Sequence, residues 1–205
     1  LDDVLRVYRE LRERPFAWDL ETMGLDPRRD AVAGLAVAHE DMAYWIPEGL
    51  FHFSAPEFVD ILHTVPHAYG SNLKFDMAML AVQYGLIPSQ CLPWDTQVMH
   101  FVLDPGAFQH GLKYLAKHEL GRDPLEFRDV TSAYANFRQV PAELAARYAA
   151  AGDARNSFDL VTKFRGELSA RGLLGVYTQL EQPVTPVLCE MELAGLSLDR
   201  RTLFQ

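Results

Sequence analysis

Several features that mark common protein classes are missing from this sequence. Its 205 residues include only two cysteines, Cys91 and Cys189, too far apart for a disulfide framework or a cysteine-based metal site. No apolar run approaches the ~20 residues that a membrane-spanning helix needs, so we expect no membrane association. Asp and Glu outnumber Lys and Arg by 28 to 19, which argues against a passive binder of polyanions. We expect an intracellular protein of the reducing cytoplasm.

Motifs of other chemistries are missing too. The seven histidines have neither metal-ligand nor triad spacing, and there is no glycine-rich phosphate loop. The first residues, Leu1-Asp2-Asp3, have neither a basic lead nor an apolar core, so we expect no export signal. The absence of an initiator Met is what we expect of an excised fragment. What remains is a globular chain, 49% hydrophobic, that can build a core without disulfides.

Hydrophobic periodicity predicts strands first and helices afterwards. A helix over residues 2–14 precedes three strands, at 16–22, 31–39 and 42–46, whose tight turns favour an antiparallel meander. Further helices are expected near 55–63 and over 73–84, 95–103, 112–120, 141–170 and 176–194, with irregular or weakly helical structure over 124–138. Short strands are expected at 68–71 and from Leu196, the latter with a partner strand that is not in this chain. This order predicts an α/β fold, a mixed sheet of antiparallel strands with parallel additions, flanked by helices.

Two acidic residues lie on one face of the first predicted strand. Asp19 and Glu21 are two apart, and the strand period of two puts both side chains on the same side. Neighbouring carboxylates in an apolar strand repel each other and resist desolvation, and a bound cation would relieve both effects. The alternative is a strand end that faces water.

Two predicted helices each carry a further acid at an inward position. Asp76 shares a stripe with Leu73 and Leu80, and it is either aimed into a cleft or a first-turn acid favoured by the helix dipole. Asn72, just before this helix, is a good N-cap. Asp153 lies on the buried stripe of the long helix, where acids are rarely left unpaired.

A metal is the natural partner for Asp153, because Arg147 and Arg155 project elsewhere by their spacing. Four inward acids on a strand and two helices indicate one shared site. Ligands that are all oxygen favour hard cations, Mg²⁺ or Mn²⁺. A carboxylate site with two such ions serves in-line displacement at phosphorus.

Three segments resemble the exonuclease motifs of the DEDD superfamily: DLET at 19–22, SNLKFD at 71–76, and Tyr148 followed by Asp153. They are most similar to the proofreading 3′→5′ exonuclease domain of family A DNA polymerases. Residues 94–96 and 110–116 resemble connecting segments of that domain, and 177–200 resemble the opening of the polymerase region. The resemblance implies a ribonuclease H-like exonuclease domain over residues 1–172 and the start of a truncated polymerase region over 173–205.

The resemblance also implies a role for each acid. Asp19, Glu21 and Asp153 would hold the first of two Mg²⁺ or Mn²⁺ ions. Asp19 would bridge to the second ion, and Asp76 would support it. Tyr148 would act at the site of the attacking water.

Substrate contacts follow from the same resemblance. Thr22 and Asn72 would position the terminal nucleotide. Leu25 would wedge against the terminal bases, and Phe137, eleven residues before Tyr148, would contact the strand. For Leu25 and Phe137 ordinary core packing is the alternative. Four basic residues are candidate backbone contacts or simply solvated surface charges: Lys74, Lys113, Arg128 and Arg138.

The implied activity is a metal-dependent 3′→5′ exonuclease of bacterial or phage-like type. It would act on a single-stranded DNA 3′ end, release nucleoside monophosphates, and proofread for a polymerase domain in cis. Two alternatives stay open. One is a structural domain of a polymerase that has lost catalysis, and the other is an RNA 3′ exonuclease of the same superfamily.

The third motif departs from the tyrosine-type branch of the family. Four residues, rather than three, separate Tyr148 from Asp153. On a regular helix an offset of five residues turns two side chains ~140° apart, so Ala149 would take the place of the tyrosine. A one-residue π-bulge around 149–152 would restore it, and Gly152 suits such a bulge because Gly weakens a regular helix. We therefore predict a local widening of the helix there.

Overall fold

Five strands form one sheet in the computed structural model, which describes residues 1–203. In chain order they are β1 (Phe16–Thr22), β2 (Val32–His39), β3 (Met42–Pro47), β4 (Ala68–Gly70) and β5 (Trp94–Asp95). Their order across the sheet is β3-β2-β1-β4-β5. The first three strands pair antiparallel, while β4 runs parallel to β1 and β5 parallel to β4. The predicted mixed sheet is confirmed.

Helices cover the sheet and make up most of the second half of the chain. Those before and between the strands are α1 (Asp2–Glu13), α2 (Glu48–Thr64) and α3 (Leu73–Tyr84). Those after the last strand are α4 (Thr96–Leu103), α5 (Leu112–Leu120), α6 (Phe127–Thr131), α7 (Ala142–Ala145), α8 (Arg155–Ala170), α9 (Leu174–Val176), α10 (Gln182–Ala194) and α11 (Arg200–Leu203). Residues Ala146–Ala154, here called the π-helical segment, join α7 to α8 without a break. None of the helices in the described part of the chain has the length and apolar character that a bilayer crossing requires.

Strand β1 separates two packing layers because its side chains alternate. Phe16, Trp18 and Leu20 enter the core formed with α1, α2 and α3. The Trp18 and Phe58 rings meet there edge to face, with centroids 5.6 Å apart. Ala17 faces the opposite layer, which α4 and α8 cover. The side chains of Asp19 and Glu21 therefore lie on the same face of β1 as Ala17, toward the layer that contains α8.

Small side chains let the π-helical segment approach the sheet closely. Ala36 and Ala38 of β2 are fully buried and pack in one cluster with Ala149 and Ala154 of the segment. Because the alanines on both sides let the two backbones lie close together, the acids of β1 can meet Asp153, the acid of the segment.

The sequence misplaced three elements. The strand expected from Leu196 is wrong: residues 195–199 are irregular, Leu196 is 94% exposed, and no described strand lies beside it to satisfy its backbone. Strand β5 was missed, because two residues are too short for periodicity to register. Helix α2 begins at Glu48, earlier than expected, with Pro56 in its interior.

Candidate functional site

Three carboxylates converge where β1 passes beneath the π-helical segment. Asp19 and Glu21 come from β1 and Asp153 from the segment, and one oxygen of each lies within 4.8 Å of the others. Glu21 and Asp153 are buried, while Asp19 is half-buried. We call these three residues the carboxylate cluster. All-oxygen donors at this spacing fit a hard divalent cation, as the sequence predicted, although ligation itself stays a prediction.

Asp76, the fourth acid, lies beside the carboxylate cluster but outside that set of three. It sits on α3 and is buried. Burial and the negative charges of Asp19 and Glu21 raise the pKa of Asp76 well above its usual value. The backbone N–H of Leu20 lowers the pKa of Asp76, but by less than these effects raise it. The four acids thus share one electrostatic environment, and Asp76 occupies its edge.

Burial and like-charge repulsion govern this environment. Burial, and after it the charge of Asp153, raises the pKa of Asp19 well above normal. Burial raises the pKa of Glu21 in the same direction, with Asp19 and Asp153 adding to the effect. Charged carboxylates at this spacing destabilise the metal-free protein, and a divalent cation would offset that repulsion.

The π-helical segment confirms the predicted widening and extends it beyond residues 149–152 on both sides. Bonding from i to i+5 brings residues five apart onto one side of the helix. Tyr148 is accordingly buried, and its hydroxyl lies near enough to Asp153 to lower the pKa of that carboxyl. Burial, then the charge of Asp153, raises the pKa of Tyr148, so the phenol stays a proton donor.

A lysine that the sequence analysis gave as a candidate contact to the DNA backbone lies against the carboxylate cluster. Lys113, in the first turn of α5, donates a hydrogen bond to Asp153. Arg147 and Arg155 do not pair with Asp153, as their spacing predicted, but Lys113 does, and the assignment of Asp153 to a metal stays a prediction. Spacing along one helix ruled out Arg147 and Arg155, but it carries no information about a side chain that another helix brings in.

The other basic candidates lie in exposed ion pairs or at the surface. Lys74 pairs with Glu192 at 2.5 Å, and Arg138 pairs with Glu48. Such pairs contribute little to stability and remain free to rearrange.

The substrate candidates at the end of β1 are accessible. The pairing of β1 with β2 shifts register between Glu21 and Thr22, as at a β-bulge. The Thr22 hydroxyl donates to the carbonyl of Gly24 at 2.8 Å, and Leu25 is 83% exposed. Core packing of Leu25 is therefore wrong, and its role as a wedge stays a prediction.

Asn72 does not cap α3 with its side chain. Its backbone is left-handed, with φ 58°, and its side chain is exposed and makes no capping bond. Asp95 takes the capping role, because its carboxylate accepts from the N–H of Leu73 at 2.7 Å and of Gln97 at 2.9 Å. One buried acid thus fixes the starts of α3 and α4, and it leaves the Asn72 amide available to a ligand.

Phe137 is in the core. It is 4% exposed, and its ring packs against Trp45 at a centroid distance of 5.8 Å. The exposed aromatic surface belongs to Phe127, which stacks on Phe137 at 6.3 Å and is 50% exposed. Phe127 also lies 6.3 Å from the Tyr148 ring. Sequence reasoning missed it, although the capping box of Glu126 and Asp129 that starts α6 was a readable signal.

Comparison with known proteins gives a consistent result. A family model described as "3'-5' exonuclease" matches residues 1–169. DNA polymerase I of Rhizobium leguminosarum is 37% identical over 135 residues, covering 64% of this chain and 13% of that protein. DNA polymerase I of Pseudomonas aeruginosa is 29% identical over 203 residues, covering 91% of this chain and 22% of that protein. The chain therefore spans less than a quarter of the length of these relatives.

Solved structures share the fold. Brucella melitensis NrnC, also solved with bound Mg²⁺, has a TM-score of 0.71 and 21% identity, covering 90% of this chain and 89% of that one. The catalytic core of RRP6 from Trypanosoma brucei has a TM-score of 0.73 and 16% identity, covering 90% of this chain and 49% of that one. Similarity at this identity shows the fold alone. The expected ribonuclease H-like α/β fold is confirmed.

Deleting Ala151, an exposed residue of the π-helical segment, tests the origin of the widening. The deletion leaves three residues between the tyrosine and the acid, so we expect a regular helix that keeps the tyrosine beside the acid. Inserting one alanine after Ala151 is the matched opposite change. It should turn the buried Tyr148 ring away and cost about 1.5–3 kcal/mol, the usual contribution of burying a large side chain. Crystal structures and urea unfolding measure both effects, and a tyrosine turned away from the acid in the deletion variant would contradict the explanation.

Neutralising one acid should stabilise the protein in EDTA. Asp19→Asn removes like-charge repulsion from the carboxylate cluster, so we expect the free energy of unfolding to rise by about 1 kcal/mol. Mg²⁺ should stabilise the wild-type protein more than the variant. Urea unfolding measures both quantities. Glu143→Gln, at an exposed acid of α7, is the control and should change stability by less than about 0.5 kcal/mol. A destabilised Asp19 variant would speak against repulsion.

Proposed function

The chain belongs to the 3′-5′ exonuclease family, and from that membership we propose that it removes nucleotides from the 3′ end of single-stranded DNA. It would release nucleoside monophosphates and so proofread for a DNA polymerase. The observation that carries the proposal is the convergence of Asp19, Glu21 and Asp153 within 4.8 Å. A purely structural role would not require these three acids, two of them buried and Asp19 half-buried, to be kept at a cost in stability.

We assign Asp19, Glu21 and Asp153 to a first divalent cation and Asp19 with Asp76 to a second, Mg²⁺ or Mn²⁺ in both positions. Bound there, the ions would supply the charge that activates water and stabilises the leaving oxygen of a phosphodiester. The all-oxygen donor set supports this choice, as does a structural neighbour solved with Mg²⁺.

Tyr148 is assigned to orienting the attacking water. Its raised pKa keeps the phenol protonated, so it acts as a hydrogen-bond donor and not as a base. The π-helical segment is what allows one side of the helix to present both Tyr148 and Asp153.

The strand end would be held by polar and apolar groups around the cluster. Thr22 and Asn72 supply hydrogen-bonding groups at the ends of β1 and of β4, and Leu25 supplies an exposed wedge. Phe127 offers a half-exposed ring for base stacking, which tolerates any sequence, as editing requires. Stacking on Phe137 itself would need that ring to become exposed. Contact with only the last few nucleotides is compatible with the net charge of −9.

We propose that residues 1–172 are the exonuclease domain and that 173–205 open a polymerase region that continues in cis. The relatives are DNA polymerase I proteins several times longer than this chain. Helix α10 in the second part docks on the first, where Glu190 accepts from the N–H of Ser89 at 3.0 Å.

Digestion of a 5′-labelled oligonucleotide tests the activity. With Mg²⁺ or Mn²⁺ the protein should shorten single-stranded DNA from its 3′ end and release nucleoside monophosphates. Asp153→Asn should lower the rate by about 10³-fold, because a metal ion contributes several kcal/mol to such reactions. Glu143→Gln is the matched control and should leave the rate unchanged. Faster digestion of RNA than of DNA would replace the proposal with an RNA exonuclease, and cleavage of neither would leave a structural domain.

Removing the exposed ring of Phe127 should weaken substrate binding. Phe127→Ala is expected to raise KM for an oligonucleotide about tenfold with kcat little changed, because stacking contributes about 1–3 kcal/mol per base. Steady-state kinetics separate the two constants. The control is Phe53→Ala, a ring that is 76% exposed on α2, in the opposite layer of the sheet. Equal effects of the two variants would contradict a stacking role.

A further inference from the structure

The ammonium group of Lys113 is a part of the site that the proposed function does not use. Lys113 lies 40 positions before Asp153 in the chain, yet the two side chains form an ion pair. Its Nζ atom also lies 4.2 Å from the centroid of the Tyr148 ring, over its face. One cation therefore contacts both the acid and the aromatic ring that the π-helical segment presents.

The environment of Lys113 differs from that of an ordinary surface lysine. Its side chain is 24% exposed and that of Asp153 is 9% exposed. Lys117, one turn further along α5, is 66% exposed and reaches Asp123 only at 3.9 Å. Groups of a partly buried pair depend on each other, because removing one partner leaves the other charge uncompensated.

The charge of Lys113 acts on the whole carboxylate cluster. It lowers the pKa of Asp19, Glu21 and Asp153. In each case burial raises the pKa by more than Lys113 lowers it. The pKa of Asp76 responds instead to the acids and to the N–H of Leu20. A positive charge is thus placed on the side of the cluster assigned to the first divalent cation.

We propose that Lys113 is a positioning residue that serves as a tethered counter-ion. Its ammonium holds Asp153 and the Tyr148 ring in place while no divalent cation is bound, and it competes with the first cation for Asp153. The inference rests on the proposed function, because the cation is the one assigned to the carboxylate cluster. It follows that the cluster is assembled before the cation arrives, and that the cation binds less tightly than the three carboxylates alone would allow.

Lys113→Met tests the counter-ion, since it keeps an unbranched side chain of similar length and removes the charge. Titration calorimetry with Mn²⁺ and no nucleic acid should show about tenfold tighter binding, equivalent to about 1.4 kcal/mol. In EDTA the variant should melt several degrees lower. Lys117→Met is the matched control and should change neither quantity. Unchanged or weaker Mn²⁺ binding by a folded Lys113→Met protein would overturn the proposal.

A double-mutant cycle separates this role from simple packing. In an Asp153→Asn background, Lys113→Met should no longer lower the melting temperature in EDTA, because the charge it balances is gone. An equal loss in both backgrounds would assign Lys113 to packing and overturn the proposal. A higher KM for an oligonucleotide with unchanged Mn²⁺ affinity would make Lys113 a substrate contact and would overturn it as well.

The wild-type protein provides a measurement that does not depend on a variant folding. Mn²⁺ should displace the ammonium from Asp153, so acetylation of Lys113 by acetic anhydride, followed by mass spectrometry, should rise severalfold relative to Lys117. No change on adding Mn²⁺ would refute displacement. All binding readouts omit nucleic acid, so a protein that lacks nuclease activity would refute the proposed function without affecting them.

Discussion

Three carboxylates lie close together where little water reaches them, and the rest of this structure must hold them there. Asp19, Glu21 and Asp153 lie with carboxylate oxygens within 4.8 Å of one another, and burial raises the pKa of each. Such an arrangement opposes folding, so neighbouring elements must hold it in place. The alanine faces of β2 and of the π-helical segment bring the backbones together, and Lys113, which also contacts the Tyr148 ring, provides a polar partner for Asp153. The site is therefore stabilised by its surroundings and not by its own contacts.

Much of this arrangement could be predicted from the sequence. The period of β1 places Asp19 and Glu21 on one face, and that face is the correct one. The offset of five residues between Tyr148 and Asp153 is incompatible with a regular helix if both are to serve one site, so it predicts a π-helix, and the structure has one. Both inferences succeed because they depend on geometry within a single element.

What the sequence could not supply depends on contacts between elements. Periodicity within the long helix excluded two arginines as partners of Asp153, but the pairing with Lys113 arises from the packing of α5. Phe127 and Phe137 are equivalent as apolar residues, and only the fold decides that one ring is half-exposed and the other buried. The strand expected at Leu196 depends on a partner strand that is not in this chain, and residues 195–199 are irregular in the part of the chain that the structure describes.

Tyr177 has a consequence for where this chain can be cut. Its side chain is fully buried, its hydroxyl accepts a hydrogen bond from the backbone N–H of Asp95 at 2.9 Å, and it donates one to the carbonyl of Pro93 at 3.1 Å. Asp95 in turn fixes the helix that carries Asp76. The physical unit thus extends past the family boundary at residue 169 and past the junction at 172. Truncation at either boundary would remove a buried phenol from the interior and loosen the scaffold beneath the acids, so an independently folding form of this domain must include Tyr177 and the helical turn that carries it.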